Sequence, residues 1–312
     1  MIQNEQISTG TPLFSIVIPV YNDWLPLDQC MHSLSRQINA PKFEVIVVDD
    51  GSMGTAPEYL HSSTHSYPLT VIRQPHKGIS AARNQGIQTS KGAILLFIDA
   101  DCRPQTNCLA ALASAISRSP QHECFQLRLV GNCSSLVGRV EQLRLSTFQG
   151  YTLQPDGRIR YLNTAGFAIR RTRVDVETGM FDPSALRAED TLLLADLMQA
   201  GKLPLFVPDA IVEHAIPLSL MECLRKDIRS ALTEKRTYDL IASKGIRIRV
   251  THRERLKLLL SVWKAASQQS IGRSAFFLLV VRQTLKRVIS FGSAVCGKFA
   301  RALKASPRRQ DL

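Results

Sequence analysis

The feature that most constrains the fold is an apolar run that ends directly in two carboxylates. Residues 94–101 read ILLFIDAD, so Asp99 and Asp101 close the run with one residue between them. A run of Ile, Leu and Phe is typical of a central parallel strand, and the chemistry of open α/β sheets collects at the carboxyl ends of such strands. Two carboxylates this close repel each other unless a cation or a hydrogen-bonded polyol shares the site. The expected cation is divalent and prefers oxygen ligands.

Residues 13–118 alternate between apolar runs and helical stretches. Such alternation predicts parallel strands with right-handed crossovers, a Rossmann-like half of an α/β fold. The predicted strands are 14–20, 43–49, 70–73 and 93–98, and the predicted helices are about 25–38, 55–65, 79–90 and 105–118. The phosphate-binding fingerprint GxGxxG is missing, which argues against a dinucleotide-dependent dehydrogenase.

The second half of the chain has a more mixed pattern. Residues 157–170 have a hairpin-like character, and a short helix is predicted at 172–178, ending at Gly179. We predict a further helix at 188–200 and two short strands at 203–207 and 211–214, and from about residue 218 the chain is helical and basic.

Polar side chains follow the first two predicted strands. Tyr21 could stack on a nucleobase, or it could have only a structural role at the end of its strand. Asp50 could accept hydrogen bonds from a base or a ribose, although Asp50-Gly51 is also an ordinary turn pair. Arg83 lies in the first turns of a predicted helix whose free N–H groups suit a pyrophosphate, and a solvated basic helix start is the alternative.

The second half contributes an acidic pair and a histidine. Glu189 and Asp190 begin a predicted helix, where acids are common because the helix dipole favours them. His214 ends a short predicted strand, and a lone histidine is more often structural than a ligand. Taken alone, none of these residues specifies a function.

Taken together, these segments resemble the family 2 glycosyltransferases, which have the GT-A fold. The resemblance covers about residues 14–214 and keeps the order of eight blocks: SIVIPVYN, FEVIVVDDGS, HKGISAARNQGI, GAILLFIDADC, NTAGFAIRR, GMFD, AED and VPDAIVEH. It implies a Rossmann-like, nucleotide-binding mixed sheet flanked by helices, followed here by a basic helical extension.

The resemblance implies a role for each matching donor-side residue. Tyr21 and Asp50 look like nucleobase contacts, and Arg83 looks like a contact to the base or the diphosphate. Asp99 looks like a ribose or metal contact. Pro19 falls in the same donor-binding group, although several relatives have a hydroxyl residue at this position.

The resemblance also implies a metal site and a base. Asp101 looks like the main ligand of Mn²⁺ or Mg²⁺, with His214 as a further ligand, and Glu189 belongs to the donor-binding group. Asp190 looks like the general base. Because a helix N-terminus favours the anion, we expect Asp190 to stay mostly ionised near neutral pH.

The implied activity is transfer of one sugar, with inversion, from a nucleotide-diphosphate donor to a hydroxyl acceptor. Such an enzyme is a metal-dependent hexosyltransferase, UDP-sugars are the favoured donors, and the acceptor would be a glycolipid or a cell-surface polysaccharide precursor. No QxxRW motif follows the acidic pair, so processive polymer synthases match poorly. A nucleotidyltransferase and a non-catalytic nucleotide-sugar-binding protein are the alternatives.

The positive charge is concentrated at the end of the chain. The net charge is +13, and residues 225–312 hold 21 Lys and Arg against 5 Asp and Glu. Apolar residues are interleaved with these bases, which suits helices lying on an anionic membrane surface, while a helical cap with a solvated basic face is the alternative. We therefore predict a polar segment at 1–12, a glycosyltransferase domain at 13–217 and an amphipathic extension at 218–312, with no nucleic-acid partner.

Cysteine use and hydropathy predict a cytoplasmic protein, peripheral at the inner face of the plasma membrane. The seven cysteines are scattered and include no CxxC pair, which argues against a disulfide framework or a zinc site. The N-terminus lacks the pattern of a signal peptide. The longest apolar run, residues 275–281, is far shorter than the roughly 20 residues that a spanning helix needs.

Overall fold

An eight-stranded mixed sheet with helices on both faces organises the protein. The structure is a computed structural model that describes residues 10–60, 65–131, 135–185, 188–214, 219–243, 245, 252–268, 274, 276–286 and 288–289. The strand order is β3-β2-β1-β4-β7-β6-β8-β5. The predicted mixed α/β architecture is confirmed.

The first half is the predicted parallel unit. Its strands are β1 (Phe14–Val20), β2 (Phe43–Asp49), β3 (Leu69–Arg73) and β4 (Ile94–Phe97), all paired in parallel, and its helices are α1 (Trp24–Ser35), α2 (Ile79–Thr89) and α3 (Cys108–Arg118). Both faces of the central strands are covered by helices, so β1 and β4 are buried along their whole length. Continuous apolar runs are typical of strands in this position.

The second half adds two antiparallel strands, β7 within the sheet and β5 at its edge. β5 (Cys102–Pro104), β6 (Cys124–Gly131), β7 (Phe167–Arg170) and β8 (Leu205–His214) follow, together with α4 (Leu136–Thr152) and α5 (Glu189–Gln199). β7 runs antiparallel to both β4 and β6, and β8 runs parallel to β6. The carboxyl ends of β4 and β8 therefore lie at the same edge of the sheet, which brings His214 to the edge that carries Asp99 and Asp101.

Several predicted elements were wrong. The helix predicted at 55–65 is only a 3-10 turn at Glu58–Leu60, and residues 61–64 lie outside the described residues. Residues 172–178 contain a 3-10 turn at Arg171–Arg173 and no α-helix. The two strands predicted at 203–207 and 211–214 are the single strand β8, whose pairing with β6 shifts register around Pro208. A hairpin was predicted at 157–170, but β7 pairs with β4 and β6.

The extension is helical and partly packed on the core. α6 (Leu220–Ser243) and α7 (His252–Gln268) are followed by helical residues 276–286. A separate apolar cluster joins α4 to this extension, and its buried members are Val140, Leu143, Val262, Ala266 and Leu279. Arg282 of the extension pairs with Glu141 at 2.7 Å and with Asp227 at 2.8 Å.

The division into 13–217 and 218–312 stays a prediction, and residues 1–9 of the predicted polar segment lie outside the described residues. Among the helices of the described residues, none combines the length and the apolar character that crossing a bilayer requires.

Candidate active site

The loops that follow β1 and β2 are tied to each other. The Ser52 hydroxyl oxygen accepts a hydrogen bond from the Asn22 N–H at 2.8 Å, and the Asn22 Oδ1 accepts one from the Met53 N–H at 2.8 Å. Asn22 adopts φ +60°, a left-handed conformation that asparagine tolerates better than most residues. Asp49 Oδ1 accepts a hydrogen bond from the Ser52 N–H at 2.8 Å, so this side chain stabilises the turn that follows β2.

An aromatic surface lies beside these loops. Tyr21 is 45% exposed, and its ring stacks on His76 with a centroid separation of 4.3 Å. The buried carboxylate of Asp50 contacts His76 Nδ1 at 2.8 Å and accepts the N–H groups of Lys77 and Gly78, each at 2.9 Å. Asp50 therefore fixes the loop that holds His76 against Tyr21, and its predicted contact with a nucleobase stays a prediction.

Pro19 lies two residues before Tyr21 in the chain. It is buried within β1, opposite Val48 of β2. The predicted part of Pro19 in donor binding stays a prediction.

Arg83 joins the two halves of the site. Its guanidinium donates to Asp99 Oδ1 at 2.8 Å and to Glu189 Oε1 at 2.6 Å, and the residue is 1% exposed. Burial disfavours the charged guanidinium, but the two carboxylates outweigh this effect and raise the pKa of Arg83. Arg83 thus holds an acid of the β4 edge beside an acid of α5. Its predicted contact with the donor stays a prediction.

Asn84, the next residue in α2, also connects the first half of the chain to the second. Asn84 Oδ1 accepts the N–H groups of Met180 and Phe181 at 3.1 and 3.0 Å, and its side-chain amide donates to the Phe181 carbonyl oxygen at 2.8 Å. Gly179 adopts φ +76°, and a Cβ atom there would lie 2.4 Å from the Asn84 side chain. Only glycine fits at position 179, because the chain passes so close to α2 there.

The second acid of the β4 edge lies beside His214. Asp101 Oδ2 is 3.2 Å from His214 Nε2, and the Cys102 thiol donates to Asp101 Oδ1 at 3.7 Å. The three ligand atoms lie within 4.8 Å of one another. Asp101 and His214, which were predicted to bind one cation, lie side by side, and the carboxylate and imidazole are ligand types that divalent cations accept. Their role as metal ligands stays a prediction. Sequence reasoning missed Cys102, although it directly follows the DAD motif.

The pKa of Asp99 is also displaced at this edge. Burial raises the pKa of Asp99, with a further upward contribution from Asp101, while Arg83 opposes both. A cation at this position would favour both carboxylates as anions.

Asp190 begins α5 next to Glu189. Its Oδ1 accepts the Thr191 N–H at 2.6 Å, and the preceding Ala188 adopts φ +58°. Burial, reinforced by the charge of Glu189, raises the pKa of Asp190 to about 7. The prediction that Asp190 is mostly ionised near neutral pH was therefore wrong, because desolvation and a neighbouring acid outweigh the helix N-terminus. A carboxylate with a pKa near 7 is well matched to accept a proton at neutral pH.

A tyrosine lies in the electrostatic environment of Asp190 and against α4. Burial raises the pKa of Tyr161 to about 12, with a smaller contribution from Asp190, and its ring meets Phe148 of α4 edge to face at 5.6 Å. Close by, Arg160 contacts Glu254 of α7 at 4.0 Å. The adjacent residues Arg160 and Tyr161 therefore contact both α4 and the helical extension.

Comparison with known proteins gives a consistent result. A family model described as glycosyl transferase family 2 matches residues 15–178, more than half of the chain. The chain is 38% identical to glycosyltransferase AglE of Haloferax volcanii over 114 residues, which cover 36% of this chain and 38% of that protein. This match spans less than half the length of the relative.

Two solved structures extend the likeness to most of the chain. The mannosyltransferase PcManGT from Pyrobaculum calidifontis, in complex with GDP-Man and Mn²⁺, superposes with a TM-score of 0.55 at 18% identity, over 95% of this chain and 81% of that one. Residues 1–349 of S. aureus TarS, in complex with UDP, give a TM-score of 0.54 at 19% identity, over 96% and 94%. At these identities the likeness establishes the fold, which is GT-A.

Proposed function

This chain belongs to glycosyl transferase family 2, and from that membership we propose that it moves a single sugar from a nucleoside diphosphate to an acceptor hydroxyl. The main support for the proposal is that Arg83 contacts two acidic residues at once. Through contacts of 2.8 and 2.6 Å it holds Asp99, at the donor edge, and Glu189, next to the base candidate Asp190, in one site. A glycosyl transfer needs both parts, because the leaving diphosphate and the attacking hydroxyl lie on opposite faces of the sugar.

We infer that the donor base lies on the Tyr21 ring. The ring is exposed at the edge of the sheet, and His76 and Asp50 fix its surroundings. Every nucleobase offers a π face, so stacking alone does not select one base. UDP-sugars are the donors to test first, with GDP-mannose beside them, because TarS and PcManGT were solved with UDP and GDP-Man.

Asp101 and His214 would hold the divalent cation, Mn²⁺ or Mg²⁺. Their ligand atoms are 3.2 Å apart, Asp101 in the turn after β4 and His214 at the end of β8, and both side chains are partly exposed. A cation held by these two residues would supply positive charge to neutralise the negative charge that develops on the leaving diphosphate. PcManGT was solved with Mn²⁺.

Asp190 would act as the general base. Its carboxylate accepts the proton of the acceptor hydroxyl while the hydroxyl oxygen bonds to the anomeric carbon. The bond between that carbon and the diphosphate oxygen breaks, and the diphosphate leaves with the electron pair. A single displacement of this kind inverts the anomeric configuration. Arg83 would hold Asp99 and Glu189 in position, and through Glu189 also the adjacent Asp190.

Release of nucleoside diphosphate tests this proposal. A panel of nucleotide sugars would be assayed with Mn²⁺, with Mg²⁺ and with EDTA, using the wild type, Asp190→Asn, Asp101→Ala and the exposed control Asp209→Asn. We expect one donor to be consumed in a metal-dependent manner. Asp190→Asn should keep donor binding and lose transfer, and Asp209→Asn should behave as the wild type. If the wild type neither consumes nor binds any donor in thermal-shift assays, the proposal fails.

The helical extension supports a membrane-proximal acceptor. Its outer surface exposes large apolar side chains, namely Leu256, Leu259, Leu260, Trp263, Phe277, Val281, Leu285 and Val288. The exposed Lys257 and Lys264 lie among them, in a region with 21 basic and 5 acidic residues. Apolar side chains within a basic field suit an anionic lipid surface. Glu254 of α7 also contacts Arg160, next to Tyr161, and on this basis we propose a lipid-linked acceptor at the cytoplasmic face of the membrane.

Vesicle flotation tests the membrane part of the proposal. The wild type should float with vesicles of anionic phosphatidylglycerol and stay unbound with neutral phosphatidylcholine. The double variant Trp263→Glu/Phe277→Glu should lose flotation, whereas the control Leu25→Glu/Met53→Glu, at exposed apolar sites far from the extension in sequence, should keep it. Equal flotation of the wild type and the Trp263/Phe277 variant would remove the membrane role.

A further inference from the structure

A cysteine faces the predicted cation ligands. Cys102 of β5 and His214 of β8 are directly opposite each other in an antiparallel pair, so their side chains project to the same face of the sheet. The Cys102 sulfur is 3.7 Å from Asp101 Oδ1, and His214 Nε2 is 3.2 Å from Asp101 Oδ2. Carboxylate oxygen, imidazole nitrogen and sulfur therefore converge within 4.8 Å.

The separations of the Asp101 oxygens from the imidazole nitrogen and from the sulfur are close to those between neighbouring ligands of a tetrahedral zinc site. With bond lengths of about 2.1 Å to oxygen, 2.05 Å to nitrogen and 2.3 Å to sulfur, tetrahedral angles place oxygen and nitrogen about 3.4 Å apart and oxygen and sulfur about 3.6 Å apart. The observed separations are 3.2 Å from His214 Nε2 to Asp101 Oδ2 and 3.7 Å from the Cys102 sulfur to Asp101 Oδ1, so each neighbour lies beside a different oxygen of the carboxylate. Three protein ligands with a fourth position for water are the usual arrangement of an open zinc site.

The donor set also discriminates between cations. Mg²⁺ and Mn²⁺ prefer oxygen ligands and leave thiols unbound, whereas a thiolate favours Zn²⁺. Hard cations would therefore use Asp101 and His214 and leave the buried Cys102 in contact with Asp101. A thiophilic cation would use all three side chains.

We propose that Asp101, Cys102 and His214 form a zinc site that overlaps the predicted Mn²⁺ or Mg²⁺ site. On zinc binding the Cys102 S–H bond breaks, the proton leaves to solvent, and a sulfur–zinc bond forms without any change of oxidation state. Because Asp101 and His214 serve both kinds of ion, zinc and manganese exclude each other. The zinc site does not depend on the proposed transfer reaction, since ion binding is measured without a donor.

Cobalt reports sulfur ligation directly. Titration of the full chain with Co²⁺ should produce one equivalent of a near-ultraviolet sulfur-to-cobalt charge-transfer band, and Zn²⁺ should abolish it. In Cys102→Ser the band should be absent. The control Cys108→Ser, which alters a buried cysteine of α3 outside the cluster, should keep the band.

Affinities measured by calorimetry complete the test. Losing a residue that merely orients a metal ligand costs roughly 10- to 100-fold in affinity, so Cys102→Ser should weaken Zn²⁺ binding at least that much. Mn²⁺ affinity should stay close to that of the wild type. Folding of each variant is checked by circular dichroism. A folded wild type that shows no charge-transfer band with Co²⁺, or that binds no Co²⁺ at all, overturns the proposal, as does Zn²⁺ affinity unchanged in Cys102→Ser.

Discussion

Replacing Arg83 with methionine should strongly destabilise the protein. Methionine keeps much of the length and apolar volume of the side chain but removes the charge. Asp99 and Glu189, whose side chains are 29% and 12% exposed, would then lose the cation that contacts them at 2.8 and 2.6 Å. Removing one partner of a buried ion pair costs about 3–5 kcal/mol, because the remaining charge stays desolvated. The melting temperature should fall by roughly 6–20 °C, given about 2–4 °C per kcal/mol.

The penalty should depend on pH with a defined sign. Burial already raises the pKa of Asp99 and Arg83 opposes this rise, so without Arg83 the pKa of Asp99 rises further and the folded variant binds more protons than the folded wild type. Stability of the variant relative to the wild type is then lost as pH rises and recovered as pH falls toward the acidic range. In the double variant Arg83→Met/Glu189→Gln, one orphaned charge is gone, and about 0.5–3 kcal/mol should return.

Urea unfolding followed by circular dichroism at neutral and mildly acidic pH measures these differences. The matched control is Arg158→Met, which removes an arginine from an exposed ion pair with Asp156 and should unfold as the wild type does. A free energy of unfolding for Arg83→Met that stays within about 1 kcal/mol of the wild type would refute the reasoning. So would a penalty that is equal at both pH values.

Three further outcomes are expected. The rate of sugar transfer should rise with pH through about 7, because burial raises the pKa of Asp190 to about 7 and the base must be deprotonated; a rate that falls across this range contradicts the assignment. Tyr21→Ala should weaken donor binding in calorimetry by about 1–3 kcal/mol through lost stacking, while Tyr21→Phe keeps it; equal affinities would place the base elsewhere. Ala188→Gly should raise the free energy of unfolding by about 0.5–1 kcal/mol, since φ +58° strains alanine, and a decrease would show that the turn holds no strain.

The parallel half could be predicted because its local pattern and its tertiary environment agree. The bounds of β1 and β2 match the predicted 14–20 and 43–49, since both strands are apolar runs enclosed by turn residues. Residues 172–178 show the opposite case. Asp175 Oδ1 accepts the N–H groups of Glu177 and Thr178, and such side-chain contacts compete with a helix.

Other features depend on contacts that no local pattern encodes. α4 buries Val140 and Leu143 against α7, which lies more than a hundred residues later in the chain. The local sequence of α4 therefore could not show which of its faces is buried. The roles predicted for Asp99, Asp101 and His214 rest on the blocks that resemble the family, and the structure shows only that Asp101 and His214 lie 3.2 Å apart. The pKa of Asp190 was misjudged because helix position is local, whereas desolvation depends on everything packed around the carboxyl group.

The contacts of α2 imply an order in which the molecule is completed during synthesis. Arg83 and Asn84 are neighbours, yet their partners Glu189 and Met180 lie 106 and 96 positions further along the chain. Contacts between such distant residues form late, since the intervening chain must first lose its freedom. At about 5–20 residues per second, α5 leaves the ribosome roughly 5–20 s after α2. The parallel half therefore exists first, and α5 with Asp190 is added as one of the last parts of the candidate site.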